Sequence, residues 1–169
     1  EYGIEDRIYE LAFEGAKIAR TCADSFSTPE KPRFVLGSLG PGTKLPSLGH
    51  TTYEKLRDAY ELASQGLIDG GVDALLIETT QDLLQAKAAV NGGRRAIDKS
   101  VRDIVLIAQV TVETTGTMLL GSEIGAALNA LEPLDIDLIG LNCATGPTEM
   151  SEHLRYLSKS AHCAISVMP

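Results

Sequence analysis

The sequence predicts an α/β fold built around a parallel β-sheet, and three observations support that prediction. Short apolar runs rich in β-branched residues recur along the chain, and most do not alternate with polar residues, as is typical of strands covered on both faces. Amphipathic helical patterns lie between these runs. The centres of successive runs are separated by roughly 25–40 residues, the length expected of βαβ units. Five helices and five strands therefore alternate, with a helix first.

Five segments are predicted to be strands because they are short, apolar and bounded by turn-forming residues. In chain order they are residues 34–36, 74–77, 104–112, 136–141 and 164–167. The segment 37–49, which holds two prolines and four glycines, is predicted to be a loop within one domain. No linker, repeat or low-complexity stretch divides the chain, so residues 1–169 form one domain or a piece of one.

The first two helices are predicted from apolar residues at helical spacing. The first covers residues 4–22, and the second runs from Thr51 to about residue 67. Thr51 and Glu54 have the spacing of a capping box, in which two side chains satisfy free N–H groups of the first turn. The glycine pair 70–71 is predicted to end the second helix.

The remaining helices have recognisable start signals. The third is predicted to begin at about Thr80, with Thr79 or Thr80 as its cap, and the glycine pair 92–93 either ends it or weakens the helical pattern beyond that point. The fourth covers residues 123–131. The fifth begins at Pro147, because proline is favoured at the first helical position.

The length of 169 residues fits two architectures. One is a complete five-stranded sheet of the flavodoxin type, and the other is most of a (β/α)₈ barrel, which needs roughly 250 residues to close. Composition does not choose between them. Both place functional residues at the carboxyl ends of the strands, so these ends are where candidate site residues are sought.

Charge and hydropathy exclude several classes of function. Lys and Arg number 15 against 23 Asp and Glu, and the resulting net charge of −8 disfavours binding to nucleic acid or to an anionic membrane. The longest apolar runs have four or five residues, far below the ~20 needed to cross a bilayer. The acidic start lacks the order of a signal peptide, and without an initiator Met the chain is expected to begin mid-protein or to be trimmed. Three cysteines without a CxxC pair favour a reducing, cytoplasmic setting.

Three predicted strands end in residues that could carry chemistry. The Gly-rich segment 37–43 either cradles a phosphate or forms a tight loop beside a pocket, and it lacks the spacing of phosphate-binding motifs. Glu78 either binds a substrate ammonium group or pairs with a neighbouring backbone group or arginine. Gln109, Thr111 and Glu113 share one face by strand alternation, and that face either lines a site or meets solvent.

The fourth strand ends in Asn142 and Cys143, just before a predicted helix N-terminus. This environment favours a thiolate that acts as nucleophile or metal ligand. The alternative is a small buried apolar side chain. One cysteine does not make a zinc site, which needs three or four ligands. Cys22 and Cys163 are predicted to be core residues.

Three sequence elements together resemble the homocysteine S-methyltransferase family. They match it in order and approximate spacing, and they are Gly37-Ser38-Leu39-Gly40-Pro41, Leu76-Ile77-Glu78-Thr79 followed by Asp82, and Gly140-Leu141-Asn142-Cys143-Ala144-Thr145-Gly146-Pro147. The Asn-Cys-x-x-Gly-Pro element is the most specific. Segments 45–50 and 111–123 favour the homocysteine-binding module of the cobalamin-dependent members, in what looks like an actinobacterial form, and the resemblance covers nearly the whole chain.

The resemblance implies a (β/α)₈ barrel that holds a zinc ion through three cysteines. It assigns the first ligand to Cys143 and the other two to an adjacent pair after the eighth strand, which these 169 residues lack. We therefore expect a partial barrel, about strands 3 to 7, incomplete at both ends. From their strand-end positions, Glu78, Thr111, Glu113 and Asn142 are the candidates for lining the substrate pocket or supporting the metal.

The function implied by the resemblance is methyl transfer to homocysteine, giving methionine. The methyl group would come from methylcobalamin recharged by 5-methyltetrahydrofolate, so zinc and cobalamin are the implied cofactors. Zinc would deprotonate the substrate thiol. The implied partners are homocysteine and the cobalamin and folate modules of the same parent chain. The alternatives are a stand-alone homocysteine methyltransferase using betaine or S-methylmethionine, and a non-catalytic barrel fragment acting as a scaffold.

Overall fold

The computed structural model describes residues 3–169 and contains one parallel sheet of five strands. Glu1 and Tyr2, part of the acidic start, lie outside the described residues. In chain order the strands are β1 (Leu36–Leu39), β2 (Ala74–Thr80), β3 (Val105–Val110), β4 (Leu138–Asn142) and β5 (Ala164–Met168). All four neighbouring pairs are parallel, which confirms the predicted α/β class.

Five α-helices accompany the strands. They are α1 (Ile8–Ser25), α2 (Tyr53–Asp69), α3 (Leu83–Asp98), α4 (Ile124–Leu131) and α5 (Pro147–Ser160). Short 3₁₀ turns cover Glu5–Arg7, Pro46–Leu48 and Glu132–Leu134. Helix α5 begins at Pro147 and α4 lies within the predicted segment, so both helix predictions are confirmed.

The strands are ordered β1-β2-β3-β4-β5, so each strand pairs with the next one along the chain. A flavodoxin-type sheet would instead place its second strand at an edge, outside the first. Consecutive pairing of parallel strands is the arrangement of a (β/α)₈ barrel. The five strands therefore form an arc of such a barrel, as expected of a partial barrel.

The two faces of the sheet bury different residues. Leu75, Ile77, Leu106 and Ile139 face the helices and form the main core with them. On the opposite, inner face, apolar side chains occupy the first half of the strands, and these are Ala74, Leu76, Ile107 and Leu138. Since side chains alternate along a strand, the inner face continues upward through Glu78, Gln109 and Asn142 at the carboxyl ends.

The first strand differs from its prediction. It begins at Leu36 rather than at residue 34, and it includes Gly37 and Ser38, which were expected to lie in a loop. Gly37 is in the strand because α2 packs closely against it. A Cβ there would lie 2.9 Å from the Cδ1 methyl of Leu67, so a larger residue would require the Leu67 side chain to shift. A residue that indicates a loop by composition here gives room for a side chain of α2.

The predicted start of α2 is wrong by one residue. The cap is Thr52, whose side chain accepts a hydrogen bond from the Lys55 N–H at 3.3 Å, so the capping box placed at Thr51 and Glu54 does not form as proposed. Helix α3 is capped by Asp82, which accepts from Leu84 N, and not by Thr79 or Thr80.

The glycine pair 92–93 does not end α3, which continues to Asp98. Gly92 packs against the backbone of α2, where a Cβ would lie 2.5 Å from Arg57 O and 2.8 Å from Glu61 N. Close approach of the two helices, rather than a chain break, explains the glycine. In residues 3–169, no helix combines the length and apolar character required to cross a membrane.

Candidate functional site

The side-chain amide of Asn142 links the carboxyl ends of β2 and β4. Its Oδ1 accepts a hydrogen bond from the Thr79 N–H at 2.8 Å, and its Nδ2 donates to Thr79 Oγ1 at 2.7 Å. Nδ2 also lies 3.3 Å from Glu78 Oε2 and 3.3 Å from Cys143 Sγ. Asn142 itself is only 2% exposed, whereas Glu78 and Thr79 are half-buried and Cys143 is exposed. One amide thus contacts three neighbouring residues at this edge of the sheet.

Three residues of this edge have left-handed backbone conformations. Thr79 has a φ of 57° and Cys143 a φ of 58°, and Ala144 follows with a φ of 60°. Such angles are unfavourable for residues other than glycine, and most of all for a β-branched residue such as threonine. They turn both strand ends so that Thr79 Oγ1 and Cys143 Sγ lie 3.9 Å apart.

Backbone hydrogen bonds hold the turn at Cys143. Its N–H donates to Met168 O on β5 at 3.2 Å, and its carbonyl accepts from Thr145 N at 2.7 Å. The Cys143 residue is exposed, and helix α5 begins four residues later at Pro147. Cys143 is therefore a presented thiol at a strand end before a helix, and not the buried apolar residue of the alternative interpretation.

Glu78 lies beside this thiol on the inner face. Ser38 Oγ donates to Glu78 Oε1 and Asn142 Nδ2 donates to Glu78 Oε2, so each carboxylate oxygen has one donor from the protein. These partners are a hydroxyl and an amide, not the arginine considered from the sequence. A carboxylate has about four acceptor positions, so Glu78 retains capacity for a ligand donor.

Thr111 and Glu113 have different places. Thr111 is 2% exposed, donates from Oγ1 to Asn142 O at 3.0 Å, and donates from its backbone N–H to Thr80 O. It therefore ties β3 to both neighbouring strand ends. Glu113 lies beyond the end of β3, in a turn closed by the Gly116 N–H on Glu113 O, and it is half-buried. The structure thus brings Thr111 into contact with Asn142, and it leaves Glu113 on the loop beyond β3. The residues joined by these contacts are called the Asn142 cluster, and they are Ser38, Glu78, Thr79, Thr111, Asn142 and Cys143.

Two residues of the cluster were not among the sequence candidates. Ser38 was expected to lie in a loop, and Thr79 was expected to cap a helix. Strand alternation through Leu36 would have placed Ser38 on the inner face, had the strand been extended across Gly37. No comparable signal exists for Thr79, since its role depends on the left-handed turn.

The Gly-rich segment after β1 directs its carbonyl groups toward the helices. Tyr60 OH donates to Gly40 O at 2.9 Å, and Gln85 Nε2 donates to Pro41 O and to Lys44 O. Burial raises the pKa of Tyr60 to about 12, so its hydroxyl is a donor at neutral pH. These contacts support a tight loop beside the site.

The other two cysteines lie away from the cluster. Cys22 is exposed on α1, which corrects its predicted place in the core. Cys163 is half-buried and packs against the core, and burial, with the nearby Glu132, raises the pKa of its thiol. Within residues 3–169, no three His, Cys, Asp or Glu side chains converge to hold a metal ion. Cys143 can therefore supply one thiolate ligand, and the described residues alone do not complete a tetrahedral zinc site.

Comparison with sequence families gives one result for the whole chain. The family described as homocysteine S-methyltransferase matches residues 1–169.

Two mycobacterial proteins are similar over the full chain. Methionine synthase of Mycobacterium tuberculosis (strain ATCC 25618 / H37Rv) and methionine synthase of Mycobacterium leprae (strain TN) are each 63% identical over 169 residues, which is 100% of this chain. The chain spans 14% of the length of either relative.

Solved structures share the fold at low sequence identity. The apo form of the homocysteine methyltransferase MmuM from Escherichia coli has a TM-score of 0.77 and is 18% identical, and the match covers 96% of this chain and 59% of that one. The metallated form gives a TM-score of 0.79 at 17% identity, covering 96% and 58%. At this identity the likeness concerns the fold, which supports an arc of a larger barrel.

Proposed function

Because this chain belongs to the homocysteine S-methyltransferase family, we propose that it forms the homocysteine-binding part of a methionine synthase. The identity of 63% to mycobacterial methionine synthases supports the proposal. The methyl donor is proposed to be methylcobalamin, recharged from 5-methyltetrahydrofolate by modules outside these residues. The proposed setting is the cytoplasm, in keeping with three free cysteines.

Glu78 is proposed to bind the α-ammonium group of homocysteine. The observation that carries this role is its position on the inner face beside Cys143, linked to it through Asn142. A half-buried carboxylate with spare acceptor positions attracts an ammonium group more strongly than one in open water. Glu113 is proposed to line the pocket from the loop above.

Cys143 is proposed to be one zinc ligand. Its thiol is exposed at the strand end, and Asn142 Nδ2 lies 3.3 Å from its sulfur. A zinc ion would deprotonate the substrate thiol. Since no other cysteine of the described residues lies at this edge, the remaining ligands are proposed to lie outside the 169 residues, in the rest of the barrel.

Asn142 and Thr111 are proposed to act in the pocket mainly by positioning their neighbours. Asn142 uses both ends of its amide within the protein, and Thr111 Oγ1 holds the Asn142 carbonyl. Together they fix the direction in which Glu78 and Cys143 leave their strands. Residues 1–169 are thus proposed to be an incomplete barrel domain whose site needs further segments.

The test is zinc analysis of the full-length protein carrying Cys143→Ser. We expect loss of stoichiometric zinc and of methyl transfer to homocysteine, while Cys22→Ser and Cys163→Ser, which alter cysteines away from the cluster, retain both. Unchanged zinc in the Cys143 variant would contradict the proposal. A wild-type protein without zinc or methyl transfer would favour the scaffold alternative, and transfer from betaine or S-methylmethionine would favour the stand-alone alternative.

A further inference from the structure

A second polar pair lies on the inner face of the sheet, deeper than the Asn142 cluster. Gln109 is 0% exposed, and its Nε2 donates a hydrogen bond to Ser166 Oγ at 2.8 Å. Gln109 pairs in register with Gly140, which pairs with Ser166, so the three residues form one row across β3, β4 and β5. Since Gly140 has no side chain, the Gln109 side chain can cross it to reach Ser166.

The other end of this amide has no donor. Among residues 3–169, no hydrogen-bond partner lies within reach of Gln109 Oε1, although the atom is buried. An unsatisfied buried amide oxygen costs on the order of 1–3 kcal/mol, so folded proteins rarely contain one without a reason. A donor supplied by a ligand in the pocket would remove that cost.

The position of Gln109 relative to Glu78 indicates which ligand group this is. Ile77 pairs with Ala108 and Thr80 with Val110, so the register shift between these pairs places Glu78 and Thr79 together opposite Gln109 on the adjacent strand. Glu78 and Gln109 lie on the inner face, and adjacent strands are about 4.8 Å apart. An ammonium group has three N–H donors, more than one partly occupied carboxylate readily satisfies.

We propose that the carbonyl oxygen of Gln109 is a specificity-determining contact that accepts a hydrogen bond from the α-ammonium group of the amino-acid substrate. The inference rests on the proposed function and adds a neutral acceptor to it. A neutral oxygen completes the ammonium's hydrogen bonds without placing a second negative charge beside Glu78, which would be costly in a partly buried site.

The experiment compares two thiols in the full-length, zinc-loaded protein. Homocysteine and 4-mercaptobutyrate share the thiol and the carboxylate, and only homocysteine has the ammonium group. Their dissociation constants are measured by calorimetry for the wild type, Gln109→Met, Gln109→Asn and Ser166→Ala. The ratio of the 4-mercaptobutyrate dissociation constant to the homocysteine dissociation constant reports recognition of the ammonium group. Because both constants describe the folded fraction alone, the ratio is insensitive to partial loss of folded protein.

Gln109→Met is expected to weaken homocysteine binding about tenfold or more, because a hydrogen bond to a charged group is lost, and to change 4-mercaptobutyrate binding less than twofold. The shorter Gln109→Asn is expected to lower the ratio as well, and it serves if the Met variant does not fold. Ser166→Ala keeps the acceptor and is expected to keep the ratio. Equal weakening of both thiols in the Gln109 variants would overturn the inference, whereas a wild type that binds neither thiol would overturn the proposed function itself.

Discussion

Asn142 holds Thr79, a residue 63 positions earlier in the chain, by two hydrogen bonds from one amide. Strand β3 lies between the strands that carry them, so the contact bridges two strands that are not neighbours. The same amide contacts Glu78 and Cys143. The geometry of the candidate site therefore depends on a single buried side chain.

Replacement of Asn142 by Ala is expected to lower the free energy of unfolding by about 2 kcal/mol. The variant loses both hydrogen bonds between the Asn142 amide and Thr79, and the backbone N–H of Thr79 is left without an acceptor. Urea denaturation followed by circular dichroism measures the loss. Asn129→Ala, at an exposed position on α4, is the matched control and should stay within about 0.5 kcal/mol of the wild type. Equal stability of the two variants would show that the bridge contributes nothing.

Ala144→Gly is expected to raise the free energy of unfolding by about 0.5–1 kcal/mol. Ala144 has a φ of 60°, an angle that costs an L-residue roughly 1–2 kcal/mol and that glycine adopts freely, although glycine loses more backbone entropy on folding. Ala126→Gly, in α4, should instead destabilise by about 1 kcal/mol. Thermal denaturation should shift the two midpoints in opposite directions. A destabilised Ala144→Gly would mean that the turn at Cys143 is not strained.

Gly92→Ala is expected to destabilise the protein by roughly 1–3 kcal/mol, even though alanine favours helices, because its Cβ would collide with the backbone of α2. Gly15→Ala on α1 is the counterpart, since a Cβ there meets nothing within 4 Å. It should stabilise by about 0.5–1 kcal/mol through helix propensity alone. Chemical denaturation of both variants gives the comparison, and a stabilising Gly92→Ala would disprove the tight contact.

The carboxyl group of Glu132 makes the free energy of unfolding depend on pH in acidic solution. Hydrogen bonds from the His162 side chain and backbone, and from Cys163 N, lower the pKa of this carboxyl to about 2. A carboxyl with a lowered pKa in the folded state stabilises fully above its unfolded pKa, near 4.3, and this contribution fades as pH falls toward 2. The wild type should therefore lose stability over that window.

Glu132→Gln should show a shallower fall in unfolding free energy between about pH 5 and pH 2, because its side chain no longer titrates. Glu14→Gln, an exposed position on α1, controls for the loss of one negative charge. Urea titrations at several pH values measure the slopes. If the unfolding free energies of the wild type and Glu132→Gln fell equally with pH, Glu132 would not be the source of the pH dependence.

The fold class and strand order could be anticipated because they follow from periodicity and spacing. Apolar runs such as Leu75–Ile77 reveal buried strands directly, and the helical patterns between them require parallel pairing. Two of the predicted element boundaries that were wrong share one cause, which is that both lie at glycines. Gly37 and Gly92 resemble chain breaks by composition, yet each is a contact point between elements that are distant in sequence.

The candidate site was predictable only in part. Strand-end position made Glu78 and Cys143 candidates, because each follows a run of apolar residues in the sequence. The bridge between Asn142 and Thr79 was not predictable, since it depends on a register shift between Ile77 and Thr80 and on left-handed turns. These are properties of the assembled sheet, not of any local pattern.

The pairing of each strand with its successor has a consequence for synthesis on the ribosome. Strands β1 to β4 can associate one after another as they emerge, since none waits for a later segment to become its neighbour. Cys143 is the exception, because its N–H donates a hydrogen bond to Met168 O on β5, which is made after β4. The turn at Cys143 is therefore completed only after β5 has been made and has joined the sheet.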